Sequence, residues 1–235
     1  MLVTEELFLL FTDDDSGKTA SSPTDMMGFG DAAQIALHAG LLTDLAAFGL
    51  ITFSSDKDAR VNVTGQPTDH PLLAKAVAEL QQHPNIKVSS LMGESWFADA
   101  EAIAAPLVAA GTLEKTSGGF LGMSTRYPTV DGRPESEIRA RYSDVLQERR
   151  NPTPQEAIVL HILAVTETTT EALKDEVNAT GAWRKNTLAK EIASRVLDSN
   201  DVAALAGVKN AIAALMVLGQ VTYMNNMNII RGSSD

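Results

Sequence analysis

Residues 31–51, DAAQIALHAGLLTDLAAFGLI, contain one formally charged side chain between Asp31 and Gly49, the carboxylate of Asp44. Asp31 suits a helix N-cap, and Gly49 suits the left-handed position just past a helix end. At a helical period Ile35, Leu37, Leu41, Leu42, Leu45 and Phe48 point in most directions around the axis. A helix that is apolar nearly all round is stable when other elements wrap it. Each large side chain buried there contributes roughly 1.5–3 kcal/mol. The stretch is therefore expected to be the central rod of the core. Its alanines and Gly40 would let neighbouring helices approach closely.

The remaining segments read mostly as helices laid around that rod. Thr4, Glu5 and Glu6 before an apolar run predict a short capped helix ending at Phe11. Residues 50–53 and 60–63 read as a hairpin. Asp69 is expected to cap a helix with Pro71 in its first turn and Leu72, Leu73, Ala76, Val77 and Leu80 on one face. Further helices are expected at 88–92, 98–110, 134–149, 155–165, from 171, at 183–197 and at 200–218, with an extended tail over 221–230. A second hairpin is expected where 113–115 and 120–125 bracket Ser117-Gly118-Gly119. Helices do not alternate with strands, so no parallel sheet is implied. The fold class is mainly α: one helical domain over residues 1–235, a buried helix at its centre and one or two short β-hairpins.

A formal charge of −11 disfavours nucleic acid and anionic membrane as partners of the average surface. With no cysteine there is no disulfide and no thiolate metal site. The amino-terminal run MLVTEELFLLF lacks the basic start of a secretory signal. The longest charge-free stretch, 210–230, carries Asn and Gln unsuited to a membrane span. A soluble cytoplasmic protein is expected, in contact with a membrane only peripherally.

Candidate chemistry is sparse. Ser16-Gly17-Lys18-Thr19 resembles the end of a phosphate-binding loop, but Thr12 stands where the motif needs glycine, so an acidic turn is the better reading. His38, His70, His83 and His161 show no metal-ligand spacing, and no metal or cofactor is expected. His161 inside AIVLHILAV reads as a packed residue with a satisfied ring, and His38 shares a helix face with Asp31 and Gln34. No nucleophile elbow or close carboxylate pair appears, so no catalytic residue is assigned. Six of the ten arginines lie between residues 126 and 150. Glu135 with Arg139, and Glu137 with Arg141, stand at helical pair spacing, which favours a self-paired, solvated helix over a phosphate anchor.

Several stretches, in order, carry a resemblance: TEELFLLFTDDDSGK, GLLTDLAAFGLI, PTDHPLL, GESW, LVAAGTL and RYP followed by RARYSDVL. Together they resemble the Golgi phosphoprotein 3 family, and the chain is read as one of its bacterial members. The resemblance implies a helical domain with a protruding β-hairpin and no enzymatic activity. Eukaryotic members are peripheral membrane adaptors that bind phosphatidylinositol 4-phosphate, hold cytosolic tails of glycosyltransferases and self-associate through the hairpin. The family's lipid pocket uses a Trp and an Arg around the central helix, and two Arg from the helix before the hairpin. A gapless match puts Phe29 at the Trp position and His38 at the Arg position. Between Lys87 and Lys115 there is no basic residue; Glu94, Asp99, Glu101 and Glu114 occur instead. A phosphate held by one neutral His lacks the charge-assisted bonds that make such sites strong. Binding of an anionic lipid headgroup is therefore expected to be weak or absent. The hairpin keeps an apolar tip, Phe120, Leu121 and Met123, expected to contact a protein partner, a second copy or a membrane. The alternatives are a headgroup binder like the eukaryotic relatives, and an enzyme acting on a small anion between His38 and Arg126.

Overall fold

The computed structural model describes residues 1–19, 30–54, 59–118 and 124–198. The rod is present as α2, Gly30–Ala47, starting one residue before the expected cap. Ala33, Ala36, Leu37, Ala39, Leu41, Leu42, Leu45 and Ala46 are buried along it. Its end is the expected one. Gly49, at φ 68°, donates to the Ala46 carbonyl (2.9 Å), and Leu50 donates to the Leu45 carbonyl (2.9 Å), which closes the last turn. Phe48, read as part of the apolar surface, is instead 58% exposed, because the chain leaves the helix there.

Against α2 lies α1, Val3–Phe11, buried on every side including Glu5 and Glu6. The close approach falls at Gly40. A Cβ there would stand 2.9 Å from Leu7 Cδ1 and 3.2 Å from Thr4 Cα. The expected cap by Thr4 is not what forms. Leu2 occupies the N-cap and its hydrocarbon side chain cannot accept a hydrogen bond, so the donors of the first turn are met from elsewhere. Asp44 of α2 accepts from Val3 N (3.0 Å), Thr4 N (2.9 Å) and Thr4 Oγ1 (2.6 Å), while Glu5 reaches back to Leu2 N (2.9 Å). The single charge of the rod therefore caps the neighbouring helix.

Two hairpins flank this core. β1 (Ile51–Phe53) and β2 (Val61–Val63) pair antiparallel, with Thr52 opposite Asn62. α3, Pro71–Gln82, has His70 rather than Asp69 at its N-cap, since Pro71 itself opens the helix. A single turn, α4 (Val88–Leu91), leads to α5, Ala100–Ala109, whose N-cap Asp99 accepts from Glu101 N and Ala102 N. In the second hairpin β3 (Thr116–Gly118) pairs with β4 (Ser124–Arg126). Ser117 and Gly118, expected in the turn, are strand residues, and Leu113 bridges Thr129 instead. Phe120, Leu121 and Met123 lie outside the described residues.

The carboxyl-terminal half adds α6 (Arg133–Leu146), α7 (Pro154–Val165), α8 (Thr169–Ala172), α9 (Lys174–Ala179) and α10 (Lys185–Leu197). The expected 171 helix is thus two short ones, and the expected 183–197 helix starts at Lys185, leaving Trp183 91% exposed. Thr153 caps α7 in a capping box with Glu156. The expected helix at 200–218 and the tail at 221–230 lie outside the described residues.

The arginine segment is self-paired only in part, and its partners are not those of the helical spacing alone. Arg139 does pair with Glu135 (2.7 Å) and also reaches Glu176 (3.5 Å). Arg141 turns from Glu137 to Glu6 of α1 (3.3 Å), which also accepts from Tyr142 Oη (2.7 Å) and Gln155 Nε2 (2.8 Å). Arg150 makes two bonds of 2.7 Å to Glu156, only 1% exposed. A buried carboxylate has to be paired or hydrogen-bonded, so it draws cations inward from a helix that would otherwise be solvated. Among the described residues no helix is long and apolar enough to cross a membrane, and no cluster of His, Asp or Glu is arranged to hold a metal.

Candidate functional site

The position matched to the family's headgroup arginine is held by α2, α4 and the turn that follows α4. His38 is 1% exposed. Its Nδ1 lies 2.9 Å from the Met92 carbonyl, and its Nε2 lies 2.9 Å from Gln34 Nε2. A carbonyl only accepts, so Nδ1 carries the proton; Gln34, one helical turn earlier, donates its amide N–H to the Nε2 lone pair. Gln34 also donates to the Ala98 carbonyl (3.4 Å). Burial holds the His38 ring below the ordinary histidine range, against the opposing pull of the Met92 and Phe97 backbones. The ring is thus neutral near pH 7, packs against Phe97 at 5.6 Å between centroids, and has both nitrogens engaged.

Those two bonds make His38 a clamp between the rod and the chain entering α5. No lone pair remains for proton abstraction and no N–H remains for an anion. Gln34 was legible as a partner from its i,i+4 spacing. The Met92 carbonyl was not, because a backbone acceptor 54 residues away leaves no mark on side-chain pattern.

The carboxylates at the start of α5 are already committed. Asp99 caps α5 and pairs with Lys75 (3.0 Å), and Glu101 pairs with Lys115 (2.8 Å). Burial first, then Glu101 and Asp99, push the Tyr127 hydroxyl up to about 12. In the GESW stretch Trp96 Nε1 donates to Glu94 (2.9 Å), and its ring stacks on His83 at 4.5 Å. Arg126 stands in β4 opposite Thr116, and its Nε is buried without a hydrogen bond among the described residues. Phe29, the residue matched to the family's tryptophan, lies outside the described residues.

The other expectations resolve as follows. His161 is packed in α7, but among the described residues its ring is not fully satisfied: Nδ1 is buried with no hydrogen bond there, and burial together with Lys190 holds the ring below the ordinary range. The Asp13-to-Gly17 turn is not simply a free acidic loop. Gly17 is buried, its carbonyl accepts from Tyr127 N (2.9 Å), and Asp14 accepts from Thr129 through backbone (3.1 Å) and side chain (2.6 Å).

A family model described as Golgi phosphoprotein 3 (GPP34) matches residues 3–215. No curated protein matches the chain.

Proposed function

Because the chain belongs to the Golgi phosphoprotein 3 family, we propose that it is a non-catalytic, adaptor-like protein of the cytoplasm, peripheral at the membrane, whose headgroup position has lost its grip on phosphorylated lipid. The observation that supports this reading most directly is the clamp at His38. The residue in the arginine's place is neutral, buried and hydrogen-bonded at both nitrogens. A phosphate monoester needs cationic donors in fixed geometry to bind strongly. The acidic groups at the start of α5, Asp99 and Glu101, are paired with Lys75 and Lys115.

The hairpin carries the partner-binding part of the proposal. Its strands are short, and its apolar residues Phe120, Leu121 and Met123 belong to the connection between them. An apolar tip of this kind suits self-association or the apolar surface of a protein partner.

Liposome sedimentation with and without phosphatidylinositol 4-phosphate tests the lipid half. The expected outcome is no headgroup-dependent pelleting; salt-sensitive, headgroup-dependent pelleting would establish a lipid binder instead. Light scattering of the Phe120→Ser, Leu121→Ser double variant tests the other half. A smaller species than wild type is expected, and an unchanged mass removes the hairpin from the interface.

A further inference from the structure

The Asp13–Gly17 turn docks on the chain that leaves the second hairpin for α6. Thr129 donates to Asp14 twice, from N to the backbone carbonyl (3.1 Å) and from Oγ1 to the side chain (2.6 Å), and Tyr127 N donates to the Gly17 carbonyl (2.9 Å). A Cβ on Gly17 would stand 2.3 Å from Pro128 N, so the two segments are in direct contact. Asp14 also comes within hydrogen-bond reach of Glu135, in the first turn of α6. Glu135 is 5% exposed. A third carboxylate, Glu176 of α9, lies across Arg139, whose guanidinium stands 2.7 Å from Glu135 and 3.5 Å from Glu176.

The interior of this cluster is one cation short. Glu135 and Glu176 are both buried and share Arg139, and Glu176 Oε2 makes no hydrogen bond among the described residues. The charges on the surrounding elements are engaged elsewhere: Asp13 of the turn with Ser16 and Lys18, Arg133 of α6 with Asp131, Glu6 of α1 with Arg141 and Tyr142, Arg195 of α10 with Glu148. On α9 the other charges, Lys174 and Asp175, are exposed. A carboxylate cannot donate, so two carboxyl groups in hydrogen-bond contact hold together only when one carries a proton. The buried member takes it, because charge costs more in the interior. Neutral Glu135 then accepts from Arg139 and donates its hydroxyl to Asp14, while Glu176 balances Arg139. Burial first, then the Asp14 carboxyl, push Glu135 up to about 7 against the pull of Arg139.

We propose that Asp14 and Glu135 form a proton-held latch: one shared proton fastens the Asp13–Gly17 turn to α6, and its loss as pH rises releases the turn and, with it, the exit of the second hairpin. The closed latch binds the proton more tightly than an ordinary glutamate at 4.5, so the closed form loses ground as pH rises from there towards 7. The latch belongs to the base of the hairpin and holds whether or not the hairpin tip is an interface.

Hydrogen exchange on the full chain, corrected for the intrinsic pH dependence of amide exchange, tests this at Tyr127 and Thr129, whose N–H groups close the dock. Local opening there should rise at least about tenfold between about pH 5 and pH 8 in the wild type. Glu135→Gln keeps an N–H for Asp14 and a carbonyl for Arg139 at every pH, so its opening should stay at the low-pH level throughout. Asp14→Asn, at an exposed position, keeps an acceptor for Thr129 and supplies an N–H to ionised Glu135, and it should be flat as well. A smaller rise in the wild type, or the same rise in either folded variant, would overturn the latch.

Discussion

His38 and Asp44 are both polar, both nearly fully buried and both on α2, six residues apart. Six residues at 3.6 per turn put them about 120° apart around the helix. That rotation sends them into different surroundings. His38 meets a backbone carbonyl and an amide from its own helix, and the polar group is closed off in a dry clamp. Asp44 meets the open end of α1, ties down three donors there, and borders a cavity. The difference teaches that burial alone says little about use. A buried polar side chain whose partners exhaust its hydrogen-bonding capacity is structural. One that satisfies the open end of another helix ties two elements together.

The largest effect should come from cutting the Asp44 cap. Asp44→Ala strips Val3 N, Thr4 N and the Thr4 hydroxyl of their acceptor inside the core and should lower stability by about 3 kcal/mol or more, read as a shift in the urea midpoint. A loss below about 1 kcal/mol would mean that α1 finds other acceptors. Next is His38→Arg, which installs the residue type that the resemblance places there. Charge placed in a dry clamp should destabilise the protein by about 2–4 kcal/mol and leave vesicle pelleting with phosphatidylinositol 4-phosphate unchanged. Gained pelleting would make the clamp a headgroup site.

Gly40→Ala sharpens the comparison from the midpoint between the two residues. Helix propensity alone would favour alanine by about 1 kcal/mol. The contact with Leu7 and Thr4 should reverse that sign and give a net loss of about 1–2 kcal/mol.

The pH dependence should separate the two ends by sign. For Asp44 the folded carboxyl titrates at about 6 against an ordinary 3.8, so the folded state binds the proton more tightly. Its contribution then becomes more favourable as pH falls from about 6 towards 4. For His38 the folded ring lies below the ordinary 6.5, so its contribution is intact above that pH and is lost as pH falls below it. Comparing denaturant midpoints of Asp44→Asn and His38→Gln with wild type at pH 7.5 and pH 5 (the difference between variants, not the absolute curve) should show opposite slopes. The smallest effect belongs to Phe48→Ser, within about 0.5 kcal/mol of wild type because the ring is largely exposed; a larger loss would place the ring in the core after all.

Much of the scaffold was legible before any coordinates. The all-round apolarity of 31–51, Gly49 past its end and Gly40 at a close approach are local facts with local reasons. What could not be read is where partners come from. Arg141 was paired with Glu137 by spacing, but Glu6, 135 residues away, is buried and needs the charge more. His70 looked like an ordinary residue after a capping Asp69, yet it occupies the N-cap and faces Glu5. The sequence singled out His38 only through a resemblance, while the closure of its ring depends on the Met92 carbonyl.

Periodicity and residue type by themselves determined that this chain builds a helical domain around one apolar rod, since burying such a rod dominates every local preference. Only the tertiary structure decided what the rod's two polar residues do. A hydrogen bond is set by which donor arrives in three dimensions, and both the Met92 carbonyl and the first turn of α1 arrive from far along the chain.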